Sequence, residues 1–247
     1  MKKVLVLLGM VALLGCSGNL ERGLVKGMAA LDRAYIPVLF YTSAESEQDP
    51  STAMKRLQDE WNYFRTRFYY YDRQDTAWQA SLNQVGALIA EAGNIVTRGG
   101  DKSLAHASLE EVQRVLGALR DRQGIDYYLD GLMVFHYPME EFVSLAAART
   151  PMTLTRNDIR TLGRMLPSLR STWDSLATVS LDTALFGFDE KRASLVTEQV
   201  MLETISLDAL QQALNSGSRN AIITAAAEIK PEFVKLYQLF GDFTLRE

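Results

Sequence analysis

Apolar residues recur at spacings of three and four along most of the chain, in stretches rich in Leu, Ala, Glu, Gln and Arg. Little interrupts them, because only six prolines and sixteen glycines are spread over 247 residues. A period near 3.6 in residues that favour helix excludes a sheet as the main element, so the chain reads as all-α. The expected architecture is a helical bundle packed by ridges and grooves, with short connections.

Local stop and start signals divide this pattern. A first helix is expected from about Gly23 to Ser43, bent or broken at Pro37. Asp49-Pro50 offers an N-cap and a first-turn proline for a second, running to about Tyr71. Asp75 and Asp101 are candidate caps of the third and fourth helices, which should end at Gly99-Gly100 and Gly124. A fifth, Asp126 to Ala147, carries Pro138, expected to kink or split it. Residues 149–154 then form the best candidate linker, and Thr155 caps the next helix with Asp158 in its first turn. A loop over Leu181 to Asp189 precedes a helix from Glu190 to Leu214, and Ser216-Gly217-Ser218 precedes the last, to about Phe240. The expected organisation is therefore a half over 23–148, the linker at 149–154, and a second half over 155–247.

A shift of 117 residues places Gly100 on Gly217, Val112 on Ile229, Leu116 on Phe233, Leu119 on Leu236 and Gly124 on Gly241. Trp61 and Trp173 match at a shift of 112. Two readings stand: a duplication giving pseudo-repeated four-helix halves, or the chance agreement of amphipathic helices with glycine ends.

The amino terminus carries a different signal. Lys2 and Lys3 precede the apolar run Val4 to Leu14, which is too short for the roughly 20 residues that cross a bilayer. The run ends in Leu13-Leu14-Gly15-Cys16, and Cys16 is the single cysteine of the chain. This segment resembles the lipobox of bacterial lipoprotein precursors. The resemblance covers only the first seventeen residues. It implies removal of residues 1–15 and a covalent lipid on Cys16, with 16–22 left as a short lipidated tether. Ser17, which stands where an Asp would signal inner-membrane retention in many Gram-negative lipoproteins, implies sorting to the periplasmic leaflet of the outer membrane; in a Gram-positive organism that inference lapses. Acyl burial at about 0.8 kcal/mol per CH2 over two or three chains would hold a soluble domain on the membrane. A tether of roughly six residues, at no more than about 3.5 Å each, keeps it within a few tens of ångströms of the surface.

Composition narrows the remaining classes. With Cys16 lipidated, no thiol is left for a disulfide, a zinc-thiolate site or a haem-attachment motif. A net charge of -4 does not indicate nucleic acid as a partner. The sequence holds no nucleophile elbow, phosphate-binding glycine loop, H-E-x-x-H or dinucleotide fingerprint, so the reading leans away from an enzyme.

Two further groups stand out. Both histidines have a glutamate four residues on, His106 with Glu110 and His136 with Glu140, a spacing that shares one helix face. On the helical wheel His106 and Glu110 lie far from the stripe Ala105, Leu109, Val112, Leu116 and Leu119, and are expected to be solvated. His136 lies at the border of its apolar face. The second group is the aromatic run from Trp61 to Tyr71: Leu57, Trp61, Phe64 and Phe68 form a core stripe, whereas Tyr69, Tyr70 and Tyr71 must point different ways, with at least one exposed for a partner surface or lipid interface. The main expectation is a membrane-anchored, non-enzymatic bundle binding an envelope protein or small ligand, with no cofactor beyond the lipid. The alternative is a metal- or haem-binding bundle with His136 as a ligand.

Overall fold

A computed structural model describes residues 4–44, 46–72 and 75–244, with side chains from residue 20 onward. Among the described residues there are nine helices and no strand, as an all-α bundle requires. They are α1 (Val4–Thr42), α2 (Ser51–Phe68), α3 (Thr76–Thr97), α4 (Lys102–Arg122), α5 (Tyr128–Ala147), α6 (Arg156–Ala177), α7 (Thr183–Phe186), α8 (Glu190–Ser216) and α9 (Arg219–Gln238).

The caps account for most of the boundaries. The Asp75 carboxylate accepts from the Ala77 amide at 2.9 Å and Asp101 from Ser103 at 2.9 Å, each supplying an acceptor for the open first turn. Gly99 and Gly124 have φ of +64° and +65°. That left-handed turn lets Gly100 and Ile125 donate back to Ile95 and Arg120 at 2.9 Å, closing the carboxyl ends of α3 and α4. Thr155 and Asp158 form the full capping box of α6.

The chain divides into two compact units, one reaching Ile125 and taking back the segment from Gly241, the other spanning Asp126–Phe240. The boundary expected at 149–154 thus falls inside the second unit. Two facts account for this. The buried face of α5, Leu129, Leu132, Phe135, Met139, Phe142 and Ala146, packs against α6 and α9. Residues 149–154 form a tied turn, in which Thr150 and Thr153 bond each other and Arg149 reaches Asp158 at 3.0 Å.

In the first unit α1 to α4 pack in a ring, each on the next and α4 on α1. Leu57, Trp61, Phe64 and Phe68 of α2 and the whole expected stripe of α4 are buried, as their spacing predicts. Gly86 and Gly93 of α3 face Trp61 and Gln58, letting α2 and α3 approach closely. α1 runs through Pro37 without a break. It also takes in residues 17–22, a stretch with no proline to stop the helix.

In the second unit α5, α6, α8 and α9 pack in the same cyclic order. Val112 and Ile229, Leu116 and Phe233, and Leu119 and Leu236 are all buried. That order follows in any up-and-down four-helix bundle. The matched glycines differ in conformation, since Gly124 has positive φ and Gly241 does not. The expected loop over 181–189 contains α7, whose Phe186 is buried against Phe240 (ring centroids 4.9 Å) and Tyr127 (5.6 Å).

Candidate functional site

Of the residues singled out by sequence, Cys16 and Ser17 fall in the stretch of α1 whose side chains lie outside the described residues. Among the described residues no helix is long and apolar enough to cross a membrane.

The tyrosine run lies at the carboxyl end of α2. Because α2 returns along α1, this end sits beside Gly23 and Gly27 of α1: a Cβ on Gly23 would be 3.8 Å from the Arg67 guanidinium, and one on Gly27 would collide with the Phe68 ring. The three tyrosines take three environments. Tyr71 packs on Trp78 at 5.2 Å, and partial burial, with the nearby Glu21 carboxylate adding, raises its phenol pKa. Tyr69 lies under the Arg65 guanidinium at 5.2 Å, and its hydroxyl accepts from Asn83 at 3.2 Å. Tyr70, edge-on to Tyr69 at 5.0 Å, is 63 % exposed. Arg67 donates to the exposed Tyr63 hydroxyl at 3.2 Å, and Leu20 is half exposed on α1. Rings with polar tips, cationic guanidinium groups and an exposed leucine therefore share one end of the first unit.

The four metal candidates divide between the units, His106 and Glu110 in the first and His136 and Glu140 in the second. His106 is not solvated as its wheel position suggests. It is half-buried against the end of α1, where its Nδ1 donates to the Leu39 carbonyl at 2.9 Å. That carbonyl lies in the last turn of α1, where the helix itself offers no complete set of donors, so the histidine acts as a cap from the neighbouring helix. Since a carbonyl only accepts, Nδ1 carries the proton, and Nε2 faces Glu110 at 3.6 Å. His136 stacks on Phe233 (5.3 Å between centroids, 21° between planes), with Nδ1 shut off from water. Glu140 pairs with Lys230 at 3.0 Å. Among the described residues no three His, Cys, Asp or Glu side chains gather as a metal site.

Sequence reasoning missed a buried acid. Glu203 of α8 is fully buried, and among the described residues neither carboxyl oxygen has a hydrogen-bond partner. Burial, with the Glu232 charge adding to it, pushes its pKa up to about 9, so the group is a neutral acid at pH 7. Its surroundings include polar contacts: Trp173 Nε1 donates to Thr204 at 2.8 Å, and Gln199 to the Glu232 carboxylate at 2.8 Å. The signal was present in the spacing. Glu203 lies seven residues after Val196 and four before Leu207, within the buried stripe that continues to Leu210.

A shallow groove of about 540 Å³ runs over α6 by Pro167, Arg170, Asp174 and Thr178. Its one cation, Arg170, is already held by Asp174 and Asp208. It therefore offers a ligand no uncommitted charge.

No protein-family model matches the chain, and no curated protein or solved structure matches it either.

Proposed function

We propose that this chain is a lipoprotein, held on the membrane by lipid on Cys16, whose helical bundle binds an envelope partner or ligand without catalysing a reaction. The observation that carries the reading is the order of the first sixteen residues: two lysines, an eleven-residue apolar run, and Leu-Leu-Gly-Cys at its end. Ser17 favours the outer membrane, facing the periplasm. The absence of catalytic motifs from the sequence favours binding over catalysis. The end of the first unit bearing Tyr70 and Arg67 supports a role close to the membrane, because it is the end from which α1 leads back to Cys16. A metal or haem on His136 has no comparable observation behind it.

The test is the mass and the fractionation of the mature protein. Material beginning at Cys16, with a mass increment of two or three acyl chains, is the expected result. Cys16→Ser should release the protein from washed envelopes into the soluble fraction. A mature protein with a free thiol at position 16, or a serine variant that stays with the membrane, refutes the reading.

A further inference from the structure

In a continuous α1, Cys16 and Leu20 are one helical turn apart, about 6 Å along the axis at 1.5 Å per residue. An extended chain would separate them by about 14 Å. A lipid on Cys16 therefore leaves no spacer between the bilayer and the end of the first unit, and what this end exposes must meet the headgroups. It exposes Leu20 at 51 % and Tyr70 at 63 %, with Arg22 and Arg67 alongside. In a chain of net charge -4, Arg22, Lys26, Arg65, Arg67 and Arg122 stand at this end against Glu21, Asp72, Asp75 and Asp121. Tyrosine rings favour the headgroup layer, where the ring meets hydrocarbon and the hydroxyl meets water. Guanidinium groups bind phosphate in a fork geometry, and cations close to a membrane are drawn to anionic lipid.

We propose that the end of the first unit formed by Leu20, Arg22, Arg67 and Tyr70 is a lipid-headgroup surface that seats the bundle upright on an anionic bilayer, with Tyr70 the inserted ring. The inference rests on the lipid-anchor reading. Tyr69 and Tyr71 are turned to Arg65 and Trp78 and brace the turn from which Tyr70 projects. The opposite end of the unit, where His106 bonds the last turn of α1 and Leu104 is exposed, faces away from the membrane.

The experiment uses the full lipidated protein in vesicles of phosphatidylethanolamine and phosphatidylglycerol, with a single reporter, Tyr70→Trp or Leu104→Trp. The native tryptophans form a constant background shielded from quenchers, to be subtracted with the parent protein, since Trp61, Trp78 and Trp173 are 5 %, 0 % and 0 % exposed. Lipids brominated near the headgroup should quench the reporter at 70 severalfold more than the reporter at 104, and the difference should shrink in vesicles of phosphatidylcholine alone. Protein that does not float with the vesicles overturns the anchor and this surface together. Protein that floats, with both reporters equally open to an aqueous quencher, overturns the surface alone. Shielding at position 70 that arises only when envelope protein is added reassigns the surface to a protein partner and likewise overturns the proposal.

Discussion

The Asp242 amide donates to the Arg33 carbonyl at 2.9 Å, and it stands where Pro37 has no proton to give. In an uninterrupted helix the Arg33 carbonyl would accept from residue 37; proline removes that donor. The carboxyl-terminal segment replaces it, and Arg56 holds the segment through the Asp242 carboxylate at 2.5 Å. Gly241 lies against Ile36, where a Cβ would sit 2.8 Å from the side chain, and Phe243 packs on Phe40 and Tyr41 at 6.1 and 5.9 Å. Residues 241–243 are thus joined to the first unit by a donor that its first helix lacks, by an ion pair and by aromatic packing.

Ending the chain at Phe240 should therefore destabilise the first unit by about 2–4 kcal/mol, the sum of a helical carbonyl left without its donor and lost aromatic packing. Asp242→Asn keeps the amide but loses the ion pair with Arg56 and weakens the bonds from Thr244, which together hold this carboxyl down at about 2, so its cost should be the smaller, about 1–2 kcal/mol. Urea unfolding of the two variants measures the contrast. Equal losses would assign the effect to the ion pair.

Glu203 makes stability depend on pH in an unusual direction. Its folded pKa is raised to about 9 from 4.5, so between those values the folded protein keeps a proton that the unfolded chain has released. Stability then falls as pH rises across that window, by up to about 1.4 kcal/mol per unit, and levels off above it. Glu203→Gln should abolish this slope and raise the unfolding midpoint at pH 8 more than at pH 5. A variant with the same pH profile as the parent would refute the assignment.

Asp158 acts with the opposite sign. The hydrogen bond from Arg149, with the Thr155 amide and hydroxyl bonds adding to it, holds its carboxyl down at about 2, below the ordinary 3.8. The folded form therefore favours the ionised acid, and the stability this contributes is present above about pH 4 and lost as pH falls toward 2. Asp158→Asn should lower stability at pH 7 and flatten the acid limb of the unfolding curve below pH 4.

Gly27 and Gly93 separate a rigid neighbour from a yielding one. Alanine at either helix-interior glycine gains about 1 kcal/mol of helix propensity. At Gly27 the new Cβ would be 2.7 Å from the packed Phe68 ring, and crowding of about 1–3 kcal/mol should outweigh the gain. At Gly93 the nearest atom is the end of the flexible Gln58 side chain, which can swing aside. Thermal unfolding should show Gly27→Ala less stable than the parent and Gly93→Ala unchanged or more stable.

What the sequence alone determined is what a few neighbouring residues decide together. The helical class, the caps at Asp75, Asp101 and Thr155, the glycine ends at Gly99 and Gly124, and the buried stripes of α2 and α4 depend on groups no more than about a turn apart, so spacing reports them. The exposure of one tyrosine among Tyr69, Tyr70 and Tyr71 was legible for the same reason; which one, Tyr70, was set by Trp78, Asn83 and Arg65.

Tertiary structure decided the rest. His106 lies off its helix's apolar stripe yet is half-buried, because a carbonyl at the end of α1 accepts its hydrogen bond. Glu203 lies on the buried stripe of α8 by its spacing, but that a carboxyl group there stays out of water is decided by the packing of the second unit. The division after Ile125 follows from the packing of α5 on α6 and α9, and the return of Gly241 and Asp242 to the first unit brings a donor to its acceptor from more than two hundred residues away. Periodicity states which face of a helix is buried; only the packed chain states against what.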